Sequence, residues 1–487
     1  MKEKKIYIVL CILIIIFSAS LTEKTFQNDT YALIALGRDM ISNRLDGYDH
    51  LTFHENLRSA HTSIIFEILL YKVYDLFCYQ GIYIFIMILS ALNSIILFRF
   101  LLKRNNSKLI SFIITIFAIY NSRFIFTARP TILVMPLFLI IVECIEKILE
   151  TNKNKYCIIL LISSVILINA HDVMWLVHFI FYFPVIAEQI LVNFKLDRFV
   201  NKKIIIKKYK NIKKLLIILV LDLLCSFITL LPGTRIELIK ELIYTVTGKL
   251  QISELSSTNI KSTLSLVIIM GFFIFQFISK HKNRIADLFM LLGLIILAIM
   301  GIRYGVFLYF IGSLYINKII NLIIKQYNLE EEFNKIDDMI FKFSGLIIIV
   351  LIFLIISIKN FENKIINQYI SEVEFPVEIC EYMKKHIDNK EIRVYNHFNF
   401  GAYLEFMEFP NFIDGRAGIY YQKYGETSII DDFIRVEQEG EYKEVFEKYD
   451  ITHAILYNTE LVNEKIYNDD NFELLYQTDI FSLYSRK

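Results

Sequence analysis

A polar stretch from Thr22 to Thr62 holds many ionisable side chains between two apolar runs. Its carboxylates and imidazoles include Asp29, Asp39, Asp46, Asp49, His50, His54, Glu55 and His61. A carboxylate can act as a general base, and two carboxylates with an imidazole can bind a divalent cation. Loops commonly carry binding and catalytic residues, and charged groups beside a membrane favour such a role. We therefore interpret the stretch as an active loop and not as a connector.

The local pattern divides this loop into a helix and a turn. From Thr30 to Asn43 the apolar residues recur with helical spacing, and Asn28 or Asp29 is placed to cap the helix. Asp29 is therefore open to two interpretations, a helix cap or a catalytic carboxylate, and a capping carboxylate can be both. The following Asp-Gly pair predicts a turn that returns Asp49 and His50 toward the membrane.

Four basic side chains from separate parts of the sequence mark the ends of apolar runs: Arg123, Arg129, His171 and Arg303. Arginine suits a phosphate because its planar guanidinium presents a fork of donors. Cations from several spans could thus converge on one phosphate group. The alternative is structural, since arginine and histidine at span ends commonly reach toward the interface or cap helices. The sequence leaves both interpretations open for each residue.

Further candidates lie later in the chain. Glu254, in a polar loop between two apolar runs, is either a second acidic site residue or a helix cap. Asp414 and Arg416 belong to the segment FIDGR, which ends a predicted strand in a turn. They are placed to contact a ligand or to form a structural ion pair. His50 and His397 are secondary candidates.

The composition places these residues in a membrane protein. Hydrophobic residues make up 55% of the chain, its mean hydropathy is +0.48, and long apolar runs recur over the first 358 residues. Runs of that length exclude a soluble core. Lysine plus arginine (52) nearly balances aspartate plus glutamate (50), so the net charge of +2 gives no reason to expect a nucleic-acid partner. The six cysteines contain no CxxC pair and indicate neither a disulfide framework nor a zinc site.

Eleven apolar segments are predicted to span the membrane. They cover residues 6–21, 81–102, 108–122, 130–149, 156–170, 173–193, 215–232, 262–279, 286–302, 304–324 and 343–358. The first could instead be a cleaved signal peptide, but we expect it to be retained because a reactive loop needs anchoring at both ends. Residues 63–79 carry charges among their apolar residues and predict an amphipathic helix at the membrane surface.

The basic residues of the short loops predict the orientation. The stretch from Lys195 to Lys214 holds nine basic residues and one acidic residue, which is typical of a cytoplasmic loop. Loops between successive spans alternate between the two sides of the membrane. Counted from this cytoplasmic loop, the N-terminus lies in the cytoplasm and the C-terminal segment lies outside it. The same alternation puts the main site candidates on the outer face: Asp29, Asp49, Arg123, Arg129, His171, Glu254 and Arg303.

After Ile358 the composition changes to that of a soluble domain. Residues 359–487 are long enough for a modest core, whereas residues 1–358 form the membrane domain, with the first outer loop at 22–62. Helices are predicted at 377–387 and 429–449, and strands at 392–395, 402–406, 451–457 and 480–484. The expected fold is thus an α-helical polytopic membrane protein with a C-terminal extracytoplasmic α/β domain.

A series of motifs, taken in order, resembles one family. They are NDTYALIALGRDMISNRLDGYDHLTFHE, FEILLYKVYDLFCYQGIYIF, ARP, NAH, ISEL, IRYGVFLY, NFGAYLEF, FIDGR and ITHAIL. Their order over most of the chain is similar to that in bacterial polytopic membrane glycosyltransferases of the GT-C superfamily. The chain also departs from that pattern, because related sequences carry a Trp-rich stretch after the first Asp. Its only tryptophan is Trp175, which leaves the aromatic sugar platform of such enzymes unassigned.

The resemblance implies an enzyme that takes a sugar from a polyprenyl-phosphate carrier at the outer face. It would transfer this sugar, with inversion, to an envelope glycan, lipid or protein. The resemblance also implies that an acidic residue of the first outer loop is the general base or a metal ligand, a role that maps onto Asp29 and secondarily onto Asp49. Because polyprenyl phosphate is a good leaving group, one base and positive charge at the departing phosphate can suffice.

Two questions stay open at this stage. Asp29, Asp49 and His50 could together hold a divalent cation such as Mg²⁺ or Mn²⁺, although the chemistry does not require one. A transporter or flippase for a lipid-linked glycan, or a non-enzymatic envelope assembly protein, would also be polytopic. A transporter should carry polar residues through the middle of its spans, where Asp222 is one of few charges, and often has paired repeats, of which none is evident. The enzyme is the favoured hypothesis.

Overall fold

The computed structural model describes residues 2–42, 46–58, 61–104, 107–195, 204–230, 263–278, 282–388, 392–424 and 426–487. The chain forms two compact units. Unit 1 contains residues 1–23, 83–229 and 251–366. Unit 2 contains residues 24–82, 230–250 and 367–487, so it combines most of the first polar loop with the C-terminal segment.

Helices make up most of the described chain. In order, they are α1 (Lys2–Leu21), α2 (Asn28–Ser42), α3 (Ile64–Arg104), α4 (Lys108–Asn121), α5 (Thr131–Thr151), α6 (Asn154–Ala170), α7 (Asp172–Val177), α8 (Phe183–Asn193), α9 (Ile212–Leu224), α10 (Leu264–Ile278), α11 (Ile285–Met300), α12 (Gly312–Gln326), α13 (Glu330–Ile340), α14 (Phe343–Ile365), α15 (Val377–His386), α16 (Gly401–Phe406), α17 (Ile429–Ile434), α18 (Tyr442–Lys448) and α19 (Leu461–Tyr467). Short 3₁₀ or π turns join several of them, including Arg123–Ile125, Ile302–Tyr304, Phe307–Ile311 and Arg435–Glu439.

The helices of unit 1 confirm the predicted membrane architecture. Each of the eleven predicted apolar segments contains a helix in its described residues. Five helical segments of the described chain are long and apolar enough to cross a membrane: Lys4–Leu21, Ile64–Arg104, Asp172–Asn193, Ile302–Gln326 and Ser344–Ile365. Shorter apolar helices, such as α4 and α6, lie between them in the sequence. The chain is a multi-pass membrane protein.

Helix α3 carries the chain from unit 2 into unit 1. Its backbone leaves helical geometry at Cys78, where φ is 52° and ψ is −152°. L-residues rarely adopt a positive φ, so this position interrupts the helix. The break lies at the boundary that the sequence predicts between an amphipathic helix over residues 63–79 and a span that starts at residue 81.

Helix α2, predicted over Thr30–Asn43, packs between two other helices of unit 2. On one side Gly37 lies directly against the backbone of Glu67 in α3. On the other side Tyr31 packs edge-on against Tyr403 of α16, with ring centroids 5.0 Å apart. Helix α2 also donates from the Arg38 side chain to two carbonyl oxygens of α16, at 2.7 and 3.0 Å. These contacts fix the helix whose first turn carries the main acidic candidate.

The strands are β1 (Ile204–Ile205) and β2 (Asn283–Arg284) in unit 1, followed in unit 2 by β3 (Val394–Asn396), β4 (Lys423–Tyr424), β5 (Thr427–Ser428), β6 (His453–Tyr457), β7 (Phe472–Gln477) and β8 (Phe481–Arg486). A four-stranded sheet has the order β3-β6-β8-β7, with β3 and β6 parallel and the other pairs antiparallel. Aromatic side chains from the strands and helices share its core, as in the contact of Tyr395 with Phe446. The predicted C-terminal α/β fold is confirmed.

Two local predictions in this segment are wrong, and some elements were not predicted. Residues 402–406, predicted as a strand, form helix α16, because a short apolar run does not by itself distinguish the two. The helix predicted over residues 429–449 is interrupted at Gly440, whose φ of 65° follows the π turn Arg435–Glu439. Strand β7 was not predicted at all.

The close crossing of α2 and α3 yields a stability prediction. A Cβ atom on Gly37 would lie 2.2 Å from the carbonyl oxygen of Glu67 and 2.8 Å from the Cβ of Tyr71. Alanine favours a helix over glycine by about 1 kcal/mol, but overpacking typically costs about 1–3 kcal/mol or more, and here a backbone atom must move. We expect Gly37→Ala to lower the thermal unfolding midpoint of the detergent-purified protein.

The matched control is Gly293→Ala in α11, where an added Cβ meets no atom within 4 Å. That substitution should leave the midpoint unchanged or raise it slightly. Equal midpoints for the two variants would contradict the close helix crossing.

Candidate active site

Asp29 lies in the first turn of α2 and is exposed to solvent. The helix begins at Asn28, so the carboxylate occupies the turn itself and not the capping position considered for it. A negative charge is favourable there, because the first turn of a helix carries unpaired backbone N–H groups and a partial positive charge. Asp39 and Asp49, by contrast, are buried. Of these three carboxylates, only Asp29 is open to a molecule that approaches from solvent.

The turn Asp414-Gly415-Arg416 of the C-terminal segment lies against this carboxylate. A Cβ atom on Gly415 would be 3.7 Å from Oδ1 of Asp29 and 3.7 Å from Nδ2 of Asn28. We call these three residues the DGR turn. The structure thus brings the main candidate of the first loop together with residues almost 400 positions further along the chain.

Asp49 is also tied to the DGR turn, but in a different way. Its Oδ1 accepts a hydrogen bond from Nη1 of Arg416 at 2.5 Å. Its Oδ2 accepts from the backbone N–H and the hydroxyl of Thr52, at 2.9 and 2.6 Å. Both oxygens are therefore engaged by protein donors. This geometry suits an anchor that holds the first loop on the turn better than it suits a proton acceptor.

Arg416 is the centre of a buried ion-pair network. It contacts Asp414 through two nitrogen atoms and donates to Oε1 of Glu405 at 2.7 Å, while the hydroxyl of Tyr420 donates to Asp414 at 2.5 Å. Burial, reinforced by the negative charge of Asp414, raises the pKa of Glu405 well above its ordinary value despite Arg416. Burial alone would also raise the pKa of Asp414, but the Arg416 guanidinium and several hydrogen bonds hold it below its ordinary value.

The Asp414–Arg416 pair had two interpretations, ligand contact or structural ion pair, and the contacts favour the structural one. Sequence reasoning missed Glu405, Arg38 and Tyr420 as members of this region. The signal available for Glu405 was a single acidic residue inside the apolar segment NFGAYLEF, since a fully buried carboxylate needs a partner. Nothing in the sequence identified that partner.

His50 does not join Asp29 and Asp49 in a metal site. Its Nε2 lies 3.2 Å from the carboxylate of Asp46, in an exposed pair within the loop. The oxygens of Asp49 are occupied as described above. In the described parts of the chain, these three residues do not form a group whose ligand atoms lie within 4.8 Å of one another. Asp29, Asp49 and His50 therefore do not fit the divalent-cation site that the sequence suggested.

A second histidine of the loop, His54, yields a pH prediction. It is buried, its Nε2 donates to the carbonyl oxygen of Phe412 at 2.7 Å, and burial lowers its pKa to about 4. The unfolded chain takes up a proton near pH 6.5, which the folded state resists. Stability from His54 is therefore complete above about pH 6.5 and is lost as the pH falls toward 4.

We expect the unfolding midpoint of the His54→Gln variant to fall less between pH 7 and pH 4.5 than that of the wild type. Glutamine keeps an N–H donor for Phe412 but does not titrate. The variant His50→Gln, which changes an exposed imidazole of the same loop, should keep the wild-type pH profile. Parallel profiles for the wild type and His54→Gln would contradict the prediction.

The basic candidates belong to unit 1. His171 is buried between α6 and α7, its Nδ1 has no hydrogen-bond partner in the described chain, and it interacts electrostatically with Arg303. Arg129 is half-buried just before Pro130, where α5 begins. Arg123 turns back on its own helix end, with its guanidinium 4.5 Å from the ring centroid of Tyr120.

The structure thus brings His171 and Arg303 together. Arg123 has the helix-end role that was the structural alternative. Glu254 lies outside the described residues.

The architecture described above defines the class of protein: a polytopic α-helical membrane protein with a C-terminal α/β domain. Comparison with solved structures agrees with this class. No family model matches the sequence, and no curated protein matches it either.

Two solved proteins show the likeness. One is the oligosaccharyltransferase AglB from Archaeoglobus fulgidus, at a TM-score of 0.59 and 12% identity over 92% of this chain and 68% of that one, in a crystal structure with a tethered acceptor peptide. The same protein was also solved with an inhibitory peptide and a dolichol-phosphate. The other is ArnT from Cupriavidus metallidurans, at a TM-score of 0.57 and 8% identity over 99% and 98% of the two chains. The predicted fold class is confirmed.

Proposed function

We propose that this protein is an integral membrane glycosyltransferase that moves a sugar from a polyprenyl-phosphate donor to an envelope acceptor. The observation that carries the proposal is the position of Asp29, an exposed carboxylate in the first turn of α2 that lies against the DGR turn. The fold adds support, since AglB and ArnT share it and AglB was solved with a dolichol-phosphate and an acceptor peptide.

In the proposed reaction Asp29 is the general base. Its carboxylate takes the proton of an acceptor hydroxyl while that oxygen attacks the anomeric carbon of the donor sugar. The bond from this carbon to the phosphate oxygen breaks, and the electron pair leaves with the polyprenyl phosphate. Attack from the face opposite to the phosphate inverts the anomeric configuration. Polyprenyl phosphate needs no proton to leave, so one base suffices.

The leaving phosphate requires positive charge, for which the basic residues identified in the sequence are the candidates. We assign the charged phosphate contacts to Arg303 and to Arg129, which lies two residues before α5, and we assign to the buried His171 beside Arg303 a contact as a neutral hydrogen-bond donor. Donors fixed by their helices stabilise developing charge without reorganisation. Arg123 is the weakest of the four assignments because its guanidinium rests on Tyr120.

A metal ion has no step in this mechanism. The A. fulgidus oligosaccharyltransferase was also solved in complex with Zn and sulfate, so the fold accommodates a divalent cation in at least one protein. In this chain, however, both oxygens of Asp49 accept hydrogen bonds from Arg416 and Thr52, and His50 pairs with Asp46. Asp29, Asp49 and His50 therefore do not fit such an ion, and proton transfer and charge stabilisation are assigned to the side chains alone.

The test is an assay of the purified protein with a panel of polyprenyl-phosphate sugars, in which the released polyprenyl phosphate is measured. An enzyme of this class should release it from at least one donor. A transporter or flippase would instead move the intact lipid-linked sugar across a proteoliposome membrane, and an envelope assembly protein would do neither. Asp222, the mid-span charge considered for a transporter, is fully buried and pairs with His178 at 2.7 Å.

The orientation belongs to the same proposal. The charge pattern of the loops places the N-terminus in the cytoplasm and positions 29, 129 and 303 on the outer face. A reporter fused after Asn363 should therefore prove extracytoplasmic. Labelling that found position 29 on the opposite side of the membrane from positions 129 and 303 would exclude the proposed reaction.

A further inference from the structure

Three side chains converge at the carboxyl edge of the parallel strands β3 and β6. His397 directly follows β3, Glu460 precedes α19 three residues after β6, and Glu437 belongs to the π turn Arg435–Glu439. One ligand atom from each lies within 4.8 Å of the other two. The carboxyl edge of parallel strands is where α/β sheets bind ligands, and π turns frequently accompany functional sites. We call these residues the His397 cluster.

Glu460 is the member whose burial demands an explanation. Both of its carboxylate oxygens are buried and, apart from a weak contribution by the backbone of Tyr457, they have no hydrogen-bond partner in the described chain. A buried carboxylate without donors is costly unless a proton or a cation neutralises it.

A hydrogen bond from a residue outside the cluster orients the carboxylate of Glu437, as is common for metal-binding carboxylates. The hydroxyl of Tyr395 donates to its Oε1 at 2.8 Å, and its Oε2 lies 3.9 Å from Nε2 of His397. An outer hydrogen bond of this kind fixes one oxygen and leaves the other for an ion. The side chains of Glu437 and His397 are 15% and 24% exposed, so an ion can reach the cluster from solvent.

His397 can complete the set as a neutral ligand. The neutral imidazole is the form in which histidine binds a metal ion. The backbone N–H of Asn399 donates to its Nδ1 at 3.1 Å, which places the ring proton on Nε2. An ion at Nε2 therefore requires this proton to move to Nδ1, and the bond from Asn399 is given up. That rearrangement breaks one exposed hydrogen bond within the loop.

We propose that His397, Glu437 and Glu460 bind one divalent transition-metal ion of the zinc or manganese class. One imidazole nitrogen and two carboxylate oxygens suit such ions, whereas Ca²⁺ takes six to eight oxygen ligands. The ion joins β3, the π turn and the start of α19. The adjacent Asn396 donates to the carbonyl oxygen of Ile413 at 2.7 Å, so the same edge supports the segment that leads into the DGR turn.

The experiment uses the full-length protein in detergent, stripped of metal with a chelator and titrated with Zn²⁺ and then with Mn²⁺. We expect one ion per chain by calorimetry and a rise of several degrees in the unfolding midpoint, because a ligand that binds only the folded state stabilises it. Glu460→Gln and Glu437→Gln should each weaken binding at least about tenfold, the loss typical even of an outer-shell partner. Ca²⁺ should give no comparable shift.

The control variant is Glu464→Gln, an exposed glutamate one turn further along α19, which should bind as the wild type does. Wild-type affinity in Glu460→Gln, or a stripped protein that binds neither metal stoichiometrically, would overturn the proposal. If Glu460→Gln does not fold, the test uses Tyr395→Phe, which removes the hydrogen bond to Glu437. Unchanged metal affinity in that variant would also reject the proposed site. None of these measurements uses sugar transfer, so this inference and the proposed function can fail separately.

Discussion

Replacement of Asp29 by asparagine should reduce the rate of sugar transfer by a factor of about 10² to 10⁴, the contribution of a well-placed general base. Asparagine has nearly the same shape and keeps the hydrogen-bonding capacity of the side chain, but it cannot accept the acceptor's proton. The residue is exposed in the first turn of α2, so the fold should persist. Lost interaction with the helix terminus costs only about 0.3–1 kcal/mol.

The measurement is the initial rate of polyprenyl-phosphate release under saturating donor, together with the unfolding midpoint. The matched control is Asp46→Asn, which makes the same chemical change at an exposed aspartate of the same loop that pairs with His50. It should retain nearly full activity. Near-wild-type turnover in Asp29→Asn would show that Asp29 is not the general base. Asp49 would then be the next residue to test for that role.

Of the substitutions proposed for this protein, replacement of Arg416 by alanine should lower its stability the most. Asp49, Glu405 and Asp414 are all buried and all pair with this one guanidinium. Removal of one partner of a buried ion pair typically costs about 3–5 kcal/mol, because the remaining charges stay desolvated without compensation. For a domain of this size we expect the unfolding midpoint to fall by roughly ten degrees. The unfolding midpoint of Arg416→Lys should lie between those of the wild type and Arg416→Ala, because lysine keeps the charge but not the fork of donors.

A surface arginine provides the comparison. Arg435 pairs with Glu441 and Glu444 at 2.8 and 3.0 Å, but both glutamates are largely exposed. Exposed ion pairs are worth about 0–1 kcal/mol, so Arg435→Ala should change the midpoint by only a few degrees. Similar midpoints for Arg435→Ala and Arg416→Ala would show that the buried network does not hold the first loop on the DGR turn.

The comparison of these two arginines also shows the limits of sequence reasoning. Both stand near acidic residues in the sequence, and only burial separates a network that holds a loop from a solvated pair. The same applies to Asp29 and Asp49, which look equivalent in the sequence. Asp29 is exposed at a helix start, whereas Asp49 is buried under Arg416 and Thr52. The distinction depends on a contact across more than 360 residues, which local spacing does not encode.

The sequence by itself determined the membrane class, the apolar helices, the helix predicted over residues 30–43 and the boundary near residue 80 between two helical segments. These features depend on composition, on hydrophobic period and on helix signals, all of which are local. Tertiary structure alone decided that residues 401–406 are helical, that the DGR turn lies against Asp29, and that the His397 cluster exists. The physical reason is that these features arise where distant segments pack, and packing energy there outweighs local preference.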